Sequence, residues 1–158
     1  MSEFAIRFQE GVDQRKAIAG HILHALPEWF GIENAIVDFC EASANLPMVV
    51  IVDGQEPIGF CSLKVHYGVN CDLYVLGILP QYHHKGLGQR MIAFIEEYCR
   101  EQGIGYLSVK TLSESHPDPF YARTRRFYQK CGFIAFEAFP ELWGAENPCL
   151  LMIKPVVK

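Results

Sequence analysis

No stretch of the chain approaches the roughly 18 apolar residues that a membrane span requires, and Met1-Ser2-Glu3-Phe4 lacks the basic flank and following apolar run of a secretory leader. A Lys/Arg tract is missing too, and the net charge is −4. Nucleic-acid binding normally leaves a basic stripe, so neither nucleic acid nor a membrane is expected as the main partner. The six cysteines, Cys40, Cys61, Cys71, Cys99, Cys131 and Cys149, form no C-x-x-C pair and no zinc spacing. They read as reduced thiols in a core, which points to the cytoplasm or another reducing compartment. There is no G-x-x-x-x-G-K-S/T phosphate loop, no third glycine completing G-x-G-x-x-G and no G-x-S-x-G elbow. Kinase, dehydrogenase and serine-hydrolase chemistry therefore lose their support. Internal repeats and low-complexity linkers are equally missing.

What is present is ordinary for a globular protein: half of the 158 residues are apolar, 20% charged and 13% aromatic. That suits one domain spanning residues 1–158 and leaves too little chain for two.

The periodicity switches repeatedly between helix and strand. Residues 13–26 are expected to form a first helix, with Asp13 as N-cap, Ile18, Ile22 and Leu26 four apart, and Pro27 as its stop. A second helix is expected over 33–40. Met48-Val49-Val50-Ile51-Val52 is short and β-branched, and Asp53-Gly54 signals a hairpin into a returning strand over 58–67. In that strand Cys61, Leu63, Val65 and Tyr67 alternate with Ser62, Lys64 and His66, the pattern of one buried face. Leu73-Tyr74-Val75-Leu76-Gly77-Ile78-Leu79 does not alternate, as expected of a central strand covered on both faces. Leu87, Met91, Phe94, Ile95 and Tyr98 recur at three and four residues, an amphipathic helix that Gly103 can end. A strand over 106–111, a helix through Phe120, Thr124, Phe127 and Cys131 closed by Gly132, and strands over 133–139 and 148–153 complete the order ααβββαβαββ.

The chemistry gathers where the apolar strand meets its helix, in Pro80-Gln81-Tyr82-His83-His84-Lys85-Gly86-Leu87-Gly88. A turn feeding a helix leaves several backbone N–H groups without intrahelical partners, pointing outward at the positive end of the helix dipole. That makes an anion site. Gly86 removes the Cβ that would keep a diphosphate from the backbone, and Gly88 lets the first helical turn sit close to strand or ligand. Two glycines one residue apart also suit a plain turn, so the pattern alone leaves both readings open.

The whole arrangement resembles motif A of the GNAT superfamily of N-acetyltransferases, a strand followed by Q/R-x-x-G-x-G/A opening a long helix; here it reads His83-His84-Lys85-Gly86-Leu87-Gly88. A second segment, Phe127-Tyr128-Gln129-Lys130-Cys131-Gly132-Phe133, is similar to the family's YEKxGF signature. The resemblance covers the chain from about Asp13 onward. It implies an α/β (α+β) fold with a central mixed, mostly antiparallel sheet flanked by helices, and acetyl-CoA as cosubstrate with an amine acceptor and no metal. Backbone groups of Leu76, Gly77 and Ile78 would hold the pantetheine arm, and the amides of His84, Lys85, Gly86, Leu87, Gly88 and Gln89 the diphosphate. Tyr128 falls at the family tyrosine that returns a proton to the CoA thiolate; a phenol, with a reference pKa near 10, is protonated at neutral pH and suits that task.

Three features depart from the family pattern. His83 replaces the usual Gln or Arg, so either its imidazole bonds phosphate or the amides suffice. Ser108 stands where some members carry a carboxylate. The connection 112–119 is long, placing His116 in a loop, and Tyr121, read with the cofactor site, falls where many members carry asparagine. An amine must shed its proton before attack, and Asp72, acting through a water, and His116 are both candidate bases. His83-His84 looks like a metal fragment, but adjacent residues face apart and no third ligand is suitably spaced. Arg123, Arg125 and Arg126 read as the solvated side of a helix. Two alternatives stay open, a non-catalytic acyl-CoA-binding sensor and a transferase of longer acyl chains, and the sequence leaves room for a homodimer.

Overall fold

The computed structural model describes residues 3–157; Met1 and Ser2, where the leader signal was sought, and Lys158 lie outside the described residues. The elements are β1 (Phe4–Gln9), α1 (Val12–His24), α2 (Glu33–Ala44), β2 (Met48–Asp53), β3 (Glu56–His66), β4 (Asn70–Ile78), a 3-10 turn (Pro80–Tyr82), α3 (Leu87–Gln102), β5 (Tyr106–Leu112), α4 (Pro119–Lys130), β6 (Ile134–Phe139) and β7 (Cys149–Pro155). Seven strands hydrogen-bond in the order β1-β2-β3-β4-β5-β7-β6. The expected mixed α/β class and element order hold, with one strand added in front. That strand, β1, half-buries Phe4, Ile6 and Phe8 and exposes Ala5 and Arg7 between them. Among the described residues, no helix is long and apolar enough to cross a membrane.

The contacts divide the chain into two compact units. The first comprises the chain through Lys64 together with Tyr74–Glu97. In it β1 pairs antiparallel with β2, from Phe4↔Asp53 to Gln9↔Met48, and β2 with β3, from Met48↔Ser62 to Asp53↔Glu56. Gly54 adopts φ 64° at the expected hairpin. The core is built from Ile18, Ile22 and Leu23 of α1, Ile36 and Cys40 of α2, all of Met48–Val52, and Leu87, Met91, Ile92 and Ile95 of α3.

Two expectations are corrected here. Asp13 is not the N-cap of α1: Gly11 is, at φ 92° and without a side-chain bond, and Asp13 sits inside the first turn, where its charge suits the dipole. β3 does not keep one buried face. Ile58–Leu63 are buried on both faces, whereas Lys64, Val65 and Tyr67 protrude, because these last residues lead to the turn in which Tyr67 and Gly68 both have positive φ.

The second unit comprises Val65–Leu73 and the chain from Tyr98 onward. The start of β4 runs parallel to β5, from Asn70↔Tyr106 to Asp72↔Ser108. β7 lies antiparallel between β5 and β6. Leu107, Val109, Tyr128, Phe133, Leu150 and Met152 form its core. Of the six cysteines, five are buried and Cys131 is half-buried. Burial pushes the thiols of Cys40, Cys131 and Cys149 up, keeping them protonated and unreactive at neutral pH.

Candidate functional site

In the first unit β4 ends with half-buried Leu76, Gly77 and Ile78. Gly77 is fixed by packing: a Cβ there would stand 2.7 Å from Leu26 Cδ1 and 3.2 Å from Ile22 Cγ2, so the α1 segment lies directly on the strand. Leu79 N–H donates to the Ile58 carbonyl at 2.9 Å, and the chain turns through Pro80–Tyr82. The Tyr82 hydroxyl donates to Asp53 Oδ2 at 3.0 Å while its ring meets Phe4 edge-on at 5.9 Å, which ties the turn to β1 and β2. The bond to Asp53 raises the Tyr82 phenol above its ordinary pKa.

His84 (φ 62°) and Gly86 (φ 75°) are both left-handed. For a histidine that conformation costs about 1–2 kcal/mol. At Gly86 nothing lies within 4 Å of a built Cβ, so backbone conformation, not crowding by the protein, calls for glycine. Arg90 N–H to the Gly86 carbonyl, 3.2 Å, is the bond that opens the α3 ladder. The amides of Leu87, Gly88 and Gln89 come before it, in a first turn with no acidic side chain that follows Lys85 and Gly86. Backbone donors, the positive end of a 16-residue helix and a lysine thus coincide, which suits a phosphate or diphosphate.

His83 turns inward. Its Nε2 lies 2.6 Å from the Ile78 carbonyl and so donates its proton there, with the ring edge-on to Trp29 at 5.9 Å. The imidazole in the place of Gln or Arg closes the turn back onto β4, leaving only Nδ1 for another partner. Trp29 carried no sequence signal for this role, since it meets the loop only through the fold.

In the second unit Asp72 is buried, and its Oδ1 accepts from the Ser108 hydroxyl at 2.8 Å. Ser108 in turn accepts from Asn70 Nδ2 at 2.9 Å. Ser108 is no base, but it holds a carboxylate delivered by the neighbouring strand at the paired register position. Sequence reading missed Asn70, whose Oδ1 is buried without a hydrogen-bond partner. His116 lies in a turn braced by Ser113 N–H to the Pro148 carbonyl (2.8 Å) and its own N–H to the Ser113 carbonyl (3.0 Å); its Nδ1 is buried and unpartnered.

Tyr128 is 4% exposed, between Phe127 at 5.4 Å and Phe133 at 5.6 Å. Tyr121 sits in the first turn of α4, where burial, with help from the Asp118 charge, pushes its phenol up to about 12. Of the arginines, Arg123 stacks on Phe120 at 4.7 Å, while Arg125 donates to the Leu112 carbonyl at 2.6 Å and is more than a solvated side chain.

A family model described as the acetyltransferase (GNAT) family matches residues 15–133. No curated protein matches the sequence. Among solved structures, a Desulfovibrio desulfuricans protein described as an acetyltransferase of the GNAT family superposes with a TM-score of 0.81 at 20% identity, over 98% of this chain and 100% of that one. The aminoglycoside 6'-N-acetyltransferase from Enterococcus faecium gives 0.75 at 19% identity, over 98% of each chain. The PaiA N-acetyltransferase from Thermoplasma acidophilum, solved with coenzyme A, gives 0.74 at 15% identity, over 97% and 99%. At these identities the likeness shows the fold.

Proposed function

Because the chain belongs to the acetyltransferase (GNAT) family, and is thereby an acyltransferase, we propose that it moves an acetyl group from acetyl-CoA to a primary amine of a small molecule or peptide by direct attack in a ternary complex. The observation that carries this reading is the start of α3, where the Leu87, Gly88 and Gln89 amides precede the first intrahelical bond beside a left-handed Gly86. Those amides, with Lys85, would take the diphosphate, and Leu76, Gly77 and Ile78 the pantetheine arm. We take residues 1–158 as one domain, a reading supported by the family match running through segments of both units.

In the proposed reaction Asp72, through a water, or His116 accepts the proton of the ammonium. The neutral nitrogen attacks the thioester carbon, the C–S bond breaks as the tetrahedral centre collapses, and Tyr128 protonates the leaving thiolate. The acylated nitrogen sheds the proton that restores the phenol. The burial of Tyr128 favours a second reading, in which the fold binds acyl-CoA and catalyses nothing.

Acetyl-CoA at 100 times its Kd should stabilise the protein by about 2.7 kcal/mol, a Tm rise of roughly 5–10 °C, with NAD and ATP giving little at equal concentration. No rise at millimolar acetyl-CoA would sink the reading. A panel of amines, including an aminoglycoside and peptide N-termini, assayed by CoA release then identifies the acceptor. On it, Tyr128→Phe should lower kcat by about 10²–10⁴-fold with acetyl-CoA affinity intact. Turnover equal to the parent removes Tyr128 from the mechanism, and tight cofactor binding with no acceptor at all supports the binding-only reading.

A further inference from the structure

Asn70, Asp72 and Ser108 stand on one face of the sheet in the second unit. Residues two apart on a strand point the same way, and so do residues paired across a ladder, as Asp72 and Ser108 are. Asp72 and Ser108 are both buried, at 5% and 2% exposure.

The direction of their bonds follows from what each group can give. A carboxylate only accepts, so the single proton of the Ser108 hydroxyl goes to Asp72 Oδ1, 2.8 Å away. Ser108 Oγ then has only lone pairs for Asn70, which must face it with Nδ2, at 2.9 Å. Turning the amide over would set two acceptors against that one proton. The orientation leaves Asn70 Oδ1 buried with no hydrogen-bond partner among the described residues, an arrangement that protein interiors rarely keep. The amide is thus held at a cost, in the way round that serves the carboxylate at the other end of the chain. A hydroxyl rotates until its partners fix it; Asn70 aims the Ser108 proton, and that proton fixes the Asp72 carboxylate. His116 has no such support, since its Nδ1 is buried with no partner among the described residues to orient the ring.

We propose that Asn70 and Ser108 are positioning residues for acetyl transfer, aiming Asp72 so that its Oδ2 takes the proton of the acceptor ammonium through one water. This rests on the acetyl-transfer reading and chooses between its two bases. The ammonium gives a proton to the water as the water gives one to Oδ2, leaving a neutral amine, a water and a carboxylic acid. Ser108 and Asn70 keep their protons throughout. Residues that act only through a base matter only where a base is needed, and an amine that is already neutral needs none.

The test therefore compares the acceptor amine found by CoA release with its alkoxyamine analogue, in which O–NH2 replaces CH2–NH2 and the nitrogen is neutral at pH 7. On the protonated amine Ser108→Ala should lower kcat about tenfold to a hundredfold, part of what a general base supplies, with the amine KM and acetyl-CoA Kd within about twofold of the parent. Asn70→Asp keeps the shape but puts an oxygen in competition for the Ser108 proton, and should lower kcat about tenfold. On the alkoxyamine both losses should shrink to less than about threefold, which a general loosening of the fold would not produce. A parent that turns over but is indifferent to Ser108→Ala, or losses equal on the two amines, overturns this proposal and leaves acetyl transfer standing. A parent that acetylates no amine overturns both.

Discussion

α4 begins with its own cap: the Asp118 carboxylate accepts from the amides of Phe120 and Tyr121 at 2.8 and 3.3 Å, and Pro119 fills the first helical position, where no N–H is needed. α3 begins after Gly86, which has no side chain to offer, with Lys85 before it and no acid in its first turn. One helix meets its first donors with its own cap, and the other starts behind a residue with no side-chain acceptor to give them. A side-chain cap is worth about 0.5–2 kcal/mol, so α3 forgoes roughly that much stability at the place where an anion would supply the missing acceptors. On the proposed reading, the contrast separates a helix start that serves the fold from one that serves a ligand.

The change expected to act most strongly is Gly86→Glu, which puts a carboxylate where the diphosphate is proposed to sit. Like charges forced together cost several kcal/mol, so acetyl-CoA affinity should fall on the order of 100-fold or more and the thermal shift should vanish. Gly86→Ala is the control. It bears the same positive φ, losing about 1–2 kcal/mol of stability, but has open space at its Cβ and should keep most of the affinity. Equal affinity in the Glu variant and the parent would take the α3 start out of the site and erase the contrast.

The complementary change is Asp118→Ala. Unfolding stability should drop by about 0.5–2 kcal/mol, measured in denaturant, while the acetyl-CoA Kd stays at the parent value. A loss of cofactor affinity as large as that of Gly86→Glu would show that α4's start also serves the ligand.

The same contrast explains what could be read from the sequence. Gly86, Gly54 and Gly132 are visible because left-handed backbone demands glycine wherever it occurs, and each was expected at a turn or helix end. The α3 motif is legible for the same reason, since the chemistry proposed for it is backbone chemistry. Asp118 has no such prominence, because an aspartate before proline suits a turn as well as a cap. The Asp72–Ser108–Asn70 chain joins residues 36 and 38 positions apart through the parallel register of β4 on β5, which no local pattern encodes. His83 was read as a possible phosphate ligand from its place in the motif, yet its ring bonds the carbonyl five residues back. β1 offered Phe4, Ile6 and Phe8 in alternation, too short a signal to outweigh the helix that follows at once.

The smallest expected effect belongs to a third kind of helix start. α2 has Ile32 as its N-cap, with no side-chain bond, but Glu33 in its first turn accepts from His24 in the last turn of α1, Nε2 to Oε2 at 2.9 Å. His24 Nδ1 lies 2.8 Å from the Gly20 carbonyl, so both ring nitrogens face acceptors and the imidazolium is the form that satisfies both. The bond to Glu33, then the backbone carbonyl, raises the His24 pKa above its ordinary 6.5. A raised pKa means the folded state holds the proton more tightly than the unfolded chain. The stabilisation is therefore complete below the unfolded value and is lost as pH climbs through the folded one. The Tm advantage of the parent over Glu33→Gln should be largest near pH 6, shrink toward pH 8, and weaken in salt because the pair is exposed. It should stay below the effect of Asp118→Ala, and the acetyl-CoA Kd should not move. An advantage that grows with pH would contradict the imidazolium assignment, and a change in Kd would mean that the α1–α2 junction bears on the proposed cofactor loop, which Trp29 would transmit through its contact with His83.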